Sequence, residues 1–184
     1  MPLIATFLCS VLLFSTAFAR PSTRDRCGPN AQVISEKSAP YGNKEIKFVT
    51  RFCPGFATLR NTTTQPAVRK RQVSLCPSAC TSLICVPSIA QPPLEDCVNL
   101  AEGLIELNET FAVSPETATE ASFGQCFFEV SNLDTATLNL CSSGFGLLGF
   151  DLADSCSTAG DGTAGDCVSP QVPGDNFVIE TGAA

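Results

Sequence analysis

Lys70 and Arg71 stand side by side in the run Val68-Arg69-Lys70-Arg71-Gln72. A dibasic pair in an accessible stretch is a substrate for a processing protease, so the chemistry implied is hydrolysis after Arg71, done to the chain rather than by it. Charge makes this junction a boundary. All 11 Lys and Arg residues lie at or before Arg71, accompanied only by Asp25, Glu36 and Glu45. Residues 20–71 therefore carry +8, eleven cations against three acids, while residues 72–184 hold 15 acids and no base, −15. So sharp an asymmetry divides the chain in two.

Cysteines are the second group with chemistry. Beyond residue 19, Cys27 and Cys53 precede the junction, and Cys76, Cys80, Cys85, Cys97, Cys126, Cys141, Cys156 and Cys167 follow it. Both sets are even in number, so each part can close its own disulfides without stranding a thiol. The opening Cys76-x3-Cys80-x4-Cys85 could also be read as a metal site, but zinc calls for a second ligand pair and often histidine. This chain has no His. Disulfides are the expected use, and no metal or other cofactor is expected. Four bridges in residues 72–184, at roughly 2–4 kcal/mol each, would supply much of the stability that a small core lacks.

Residue types weigh against an enzyme. Without His, the usual base near neutral pH is missing. After Arg71 no cation remains to hold an oxyanion or a phosphate. Paired carboxylates could run glycoside hydrolysis, but none sits in a recognisable context. The run Asp161-Gly162-Thr163-Ala164-Gly165-Asp166, with Asp151 and Asp154 upstream, could cradle calcium through oxygen ligands; it lacks the acid spacing of a calcium loop and reads as a turn. An acidic segment is repelled by nucleic acid and by anionic membranes, so neither is expected as a partner. It could instead meet its own basic segment, which would then serve as an intramolecular chaperone or mask.

The elements that must position these groups begin with a signal peptide over 1–19. Its apolar run is too short to span a membrane, and Ala17-Phe18-Ala19 supplies a small-x-small cleavage site. The protein is expected to be secreted. Acceptor sequons for glycosylation stand at Asn61 and Asn108. In the basic pro-segment (20–71), Glu45 to Phe52 alternates polar and apolar as one amphipathic strand between the turns Tyr41-Gly42-Asn43 and Cys53-Pro54-Gly55. Residues 57–71 read as an exposed linker.

In the acidic part (72–184), Cys76 to Pro93 is too rich in Cys, Ser and Pro for regular structure. Cys97, Leu100, Ala101, Leu104 and Ile105 then form one helical stripe. Phe111 to Val113 is a short strand. Ala121 to Val130 is read as one strand, with Cys126, Phe128 and Val130 on one face and Phe123 and Phe127 on the other, covered on both sides. A turn at Asn132-Leu133-Asp134 leads to a paired strand, Thr137 to Cys141. Phe145, Leu148, Leu152 and Cys156 mark a second helix despite Gly144, Gly146 and Gly149. The stretch 157–174 reads as a loop, and Phe177-Val178-Ile179 as a last strand.

The pieces Cys76-Pro77-Ser78-Ala79-Cys80…Cys85, Pro93-Leu94-Glu95-Asp96-Cys97, Gln125 to Asn132, Leu138-Asn139-Leu140-Cys141 and Phe177-Val178-Ile179 fall in a suggestive order. So ordered, the chain resembles a family of small secreted glycan-binding, lectin-like proteins from basidiomycete fungi. The leader motif Arg26-Cys27-Gly28-Pro29 and the dibasic junction are similar to forms of that family. The resemblance implies an α/β (α+β) domain, helices flanking a small, mostly antiparallel sheet stapled by disulfides, in some members a homodimer. It also implies a fucosylated glycan as ligand. Two departures stand out: Ser142-Ser143-Gly144-Phe145 replaces an Asp-Trp, and residues 72–184 contain no Trp or Tyr.

Two functions are thus in view. One is a non-catalytic carbohydrate-binding protein released from a pro-form by a dibasic protease, with Asn132 and Asp134 as candidate sugar contacts. The other is a disulfide-stapled effector or toxin-like protein acting on a protein target.

Overall fold

The computed structural model describes residues 26–60, 73–76, 82–86, 92–158, 164–168 and 177–184. Residues 1–19, Asn61, Lys70, Arg71, Cys80 and the Asp161–Gly162–Thr163 part of the calcium-like run lie outside them. The described chain runs β1 (Gln32–Tyr41), β2 (Lys44–Phe52), α1 (Gly55–Arg60), β3 (Val73–Leu75), β4 (Ser82–Val86) and α2 (Leu94–Leu107). It continues with β5 (Thr110–Val113), β6 (Thr117–Phe123), β7 (Cys126–Asn132), β8 (Leu138–Cys141), α3 (Ser142–Thr158), β9 (Ala164–Val168) and β10 (Phe177–Ala183).

Seven strands form one sheet in the order β1-β2-β6-β7-β10-β9-β4. Every neighbouring pair in it is antiparallel. A smaller sheet, β3-β8-β5, pairs β3 and β8 in parallel and β5 and β8 antiparallel. This is the expected α+β class with a mainly antiparallel sheet.

Helices α2 and α3 pack against each other over the inner face of the large sheet. Leu100 and Leu104 of α2, Phe145 and Leu152 of α3, Phe128 and Val130 of β7, and Ile179 of β10 are all fully buried between them. Removing side chains of this size from water stabilises by about 1.5–3 kcal/mol each. Phe145 meets the rings of Phe111 and Phe128 edge-on, with centroids 5.6 and 6.2 Å apart. The glycines of α3 have a packing reason: a β-carbon on Gly146 would lie 2.9 Å from the Ala101 carbonyl oxygen, and one on Gly149 would strike the Phe128 ring. The helix tolerates their weak propensity because tertiary contact requires their smallness.

Several expectations change. Ala121 to Val130 is not one strand but the hairpin β6–β7, turned at Gly124-Gln125. Gly124 has φ +59°, the left-handed conformation that glycine adopts without penalty, and Asp96 of α2 accepts a hydrogen bond from Gln125 N at 2.9 Å. The reversal pairs Phe123 with Cys126, so Phe123 joins the inner face while Phe127 stays on the outer one. Both faces of β7 are nevertheless covered, since all seven of its residues are buried.

The stretch 76–93 contains a strand after all, β4, and the loop 157–174 contains β9, against which β4 pairs. Residues 57–60 are the end of the short helix α1 rather than linker. On α2 the buried stripe takes in Gly103, while Ile105 is 41% exposed.

Four disulfides join described residues: Cys27–Cys53, Cys76–Cys141, Cys85–Cys156 and Cys97–Cys126. Cys167 is disulfide-bonded as well. The staples tie the layers together: Cys97–Cys126 fastens α2 to β7, and Cys85–Cys156 fastens β4 to α3.

Candidate functional site

The amphipathic strand of the basic segment is β2, and its place in the sheet defines the site. It pairs along β6 from Lys47 opposite Ser122 to Phe52 opposite Thr117. The sheet is therefore continuous across the junction in charge. Beyond β2, the strand β1 closes the hairpin through the turn at Gly42-Asn43 and forms the outer edge. Its register shift between Val33 and Ser35, its Pro40 and its exposed Glu36 and Lys37 are devices that discourage further strands from adding.

Alternation along β2 sends side chains to two different environments. On the inner face, Ile46 is fully buried and Phe48 is 6% exposed, both within the main core. Ile46 lies over Gly103 of α2: a β-carbon there would be 2.5 Å from Ile46 Cδ1 and 3.0 Å from Tyr41 Cγ. Tyr41, at the end of β1, meets the Phe123 ring edge-on at 5.9 Å and donates a hydrogen bond to Glu102 Oε2 at 3.2 Å. Partial burial raises the phenol above its ordinary value, and the hydrogen bond to Glu102 and the charges of Glu102 and Glu106 push it the same way. Lys44 Nζ sits 4.9 Å above the Phe123 ring. Farther along, Thr50 and Thr119 share a hydrogen bond between hydroxyls at 3.1 Å.

The outer face carries the charge. Glu120 of β6 pairs with Glu129 of β7, which pairs with Glu180 of β10, so three carboxylates lie in one row across adjacent strands. All three are buried, at 4%, 2% and 4% exposure. Like charges placed opposite each other destabilise a sheet, and buried charges require partners. Arg51 of β2 reaches into this row: its Nη1 lies 2.9 Å from Glu120 Oε2 and 3.4 Å from Glu129 Oε2. Glu120, Glu129 and Glu180 make further contacts besides. Because residues 72–184 hold no Lys, Arg or His, any side-chain cation that meets the row within the chain must come from residues 20–71.

Past β2, Cys53 N donates to the Glu116 carbonyl at 2.7 Å. Cys27, Cys53 and Phe56 of the basic segment bury themselves against Ala118 and Leu133 of the acidic one. Glu116 itself is held at φ +60°, an unusual conformation for a residue with a side chain. Apolar, hydrogen-bonding and ionic contacts all join the two segments, whereas the one disulfide of the basic segment closes within it.

The candidate sugar contacts serve the turn after β7. Asn132 is fully buried; its amide nitrogen donates to the carbonyls of Val113 and Ala136, and its oxygen accepts from Asp134 N. Asp134 Oδ1 accepts from Thr135 N and from the Thr135 hydroxyl, closing the same turn. Asn108 is exposed and ends α2 in the left-handed conformation. Among the described residues no three His, Cys, Asp or Glu side chains are grouped so that they could hold a metal ion. No described helix is long and apolar enough to cross a membrane.

The row and the slot over Gly103 escape sequence reading for different reasons. Glu120, Glu129 and Glu180 each sit mid-strand among apolar and hydroxyl residues, a legible sign of buried charge. Their alignment depends on the register of three strands, which local pattern does not contain. Neither a protein-family model, nor a curated protein, nor a solved structure matches this chain.

Proposed function

We propose that the chain is a secreted, non-catalytic binding protein made in a masked form. Its acidic, disulfide-stapled part engages the surface of a partner protein once the Lys70-Arg71 seam is cut. The observation that carries this reading is the mode of attachment of β2. It fills a complete strand position beside β6, supplies Ile46 and Phe48 to the core and Arg51 to the carboxylate row, yet has no disulfide to the part it covers. A segment held in this way occludes a surface until proteolysis makes it dissociable. Signal-peptide export and closed cysteine pairs suit an oxidising route out of the cell.

The protein-target reading draws more support from the geometry than the glycan reading. Of the residues named for sugar contact, Asn132 spends its side-chain amide on Val113, Ala136 and Asp134 N, and Asp134 Oδ1 is taken up by its own turn. Once β2 has left, by contrast, β6 would be an edge strand with an apolar inner side and a charged outer side, and strand addition to such an edge is a familiar way of receiving a peptide.

Intact mass of the secreted product, paired with a glycan array on the cut protein, tests the proposal. A chain beginning at Gln72, accompanied by the basic segment and silent on the array, is the expected result. A product that begins at Arg20 and is never cut removes the masking, and specific retention of a glycan replaces the protein target with a sugar.

A further inference from the structure

Resting on that reading, we infer that the position occupied by β2 is a recognition groove, and that β2 itself states what the groove accepts. The occupant is an extended segment of a partner protein. It carries two apolar side chains two residues apart and an arginine three residues after the second, the pattern of Ile46, Phe48 and Arg51.

Three independent features of the acidic segment define this pattern. Its helix α2 has a glycine where any side chain would collide: the space above Gly103 is taken by Ile46 Cδ1, with the Tyr41 ring beside it. That is a hole matched to a branched apolar group. The second apolar position rests beside Ala121, which pairs with Phe48 and leaves room for an aromatic ring on the inner face. The third feature is the row of Glu120 and Glu129, whose oxygens meet one guanidinium 2.9 and 3.4 Å away. One nitrogen, Arg51 Nη1, faces both carboxylates, so the position calls for a cationic side chain long enough to reach the row.

The backbone of β6 completes the groove. Its outward N–H and C=O groups bond to β2 from Thr117 to Ser122, six residues of ladder that any extended chain can make. Main-chain pairing is indifferent to sequence, so selectivity falls on the hole and the carboxylates. Charge complementarity fixes the class of partner further. With the basic segment gone, the acidic segment retains no cationic side chain at all. The partner must bring its own.

The test uses the full secreted chain with residues 66–71 replaced by the site of a sequence-specific protease, so that cutting does not depend on natural processing. After the cut, a labelled peptide spanning Lys44 to Phe52 is added in excess, and both its uptake and the release of the basic segment are followed. A second preparation carries Phe48→Asp in the resident strand, which loosens it and opens the groove to exchange. Uptake of the wild-type peptide is expected, weakened about tenfold or more in peptides bearing Arg51→Glu or Ile46→Asp. Uptake should also fall as salt rises.

Failure of the peptide to enter the loosened preparation overturns the inference, and so does equal uptake of all three peptides. Collapse or aggregation of the acidic segment on exchange overturns it too, because β2 is then a permanent part of the fold. If the natural seam is never cut but the groove still exchanges peptides selectively, the processing proposal falls and the groove stands.

Discussion

Ile46 occupies the space that a side chain on Gly103 would need: its Cδ1 is 2.5 Å from where a β-carbon would lie. One residue belongs to the basic segment and the other to the acidic one, 57 positions later, so the fit is made across the proposed seam. Gly103→Ala keeps helix propensity or improves it. Its methyl forces Ile46 outward, and overpacking of this kind costs about 1–3 kcal/mol. The expected outcome is earlier loss of the basic segment from the cut protein in a gel-filtration dilution series. An unchanged dissociation midpoint would contradict the packing described.

Arg51 is the cation that Glu120 and Glu129 share. It is 21% exposed, so part of its interaction is screened by water, and both carboxylates have other contacts. Arg51→Ala is therefore expected to cost about 2–3 kcal/mol, less than the loss of one partner from a fully buried pair. Denaturant titration at low and high salt measures it. The gap between wild type and variant should narrow with salt, and a gap independent of salt would point to packing alone.

Tyr41 is the only tyrosine, and the chain has no tryptophan. Phenolate absorbance and tyrosine fluorescence thus report on one side chain at the junction of β1, α2 and Phe123. Its hydroxyl is raised above 10.0, first by burial and then by Glu102 and Glu106. A raised folded-state value means that the neutral form is preferred in the docked structure. The stability it contributes is present in full below pH 10 and is lost as pH climbs through the higher folded value. Phenolate formation should accordingly lag behind that of a free tyrosine in a spectrophotometric titration, then coincide with release of the basic segment from the cut protein. Tyr41→Phe, which keeps the ring but has no hydroxyl to titrate, is the control. Release in that variant should shift to higher pH.

Glu116 holds φ +60° in the turn Ser114-Pro115-Glu116-Thr117, where Thr117 N donates to Ser114 O at 3.2 Å. Pro followed by a left-handed residue is a type II arrangement, in which glycine or asparagine is normally preferred. Glu116→Gly should raise the unfolding free energy by about 1 kcal/mol, the cost of placing a β-carbon in that region. Thermal unfolding checks the sign. A lower midpoint would mean that the contacts of the Glu116 side chain outweigh its backbone strain.

Much of this architecture is legible in the residues, and what is not has a physical cause. The stripe of Cys97, Leu100, Ala101 and Leu104, the alternation of Glu45 to Phe52, and the run from Phe145 to Cys156 place α2, β2 and α3 from periodicity alone. The hairpin at Gly124-Gln125 is hidden because the apolar residues on either side of it, Phe123 and Phe127 on one face and Cys126, Phe128 and Val130 on the other, fit a single alternating strand. Only the positive φ of Gly124 reveals the reversal. β4 and β9 are hidden because each is short and sits in a stretch whose Cys, Ser, Gly and Asp favour turns when considered locally. They exist as strands because β9 pairs with β10 on one side and with β4 on the other. The site is the least legible part. Its hole is an absence at Gly103, and its charge row arises from register between strands many residues apart.

Cys27 closes on Cys53, within the same segment, and this has a consequence for where the protein would act. Had either sulfur been bonded downstream, a nick at the seam would leave one covalent molecule at any concentration. As built, a nicked pair obeys mass action. If the chain is exported and cut as proposed, the pair would stay assembled while concentrated and come apart on dilution, so that distance from the source, rather than a second enzyme, would uncover the groove.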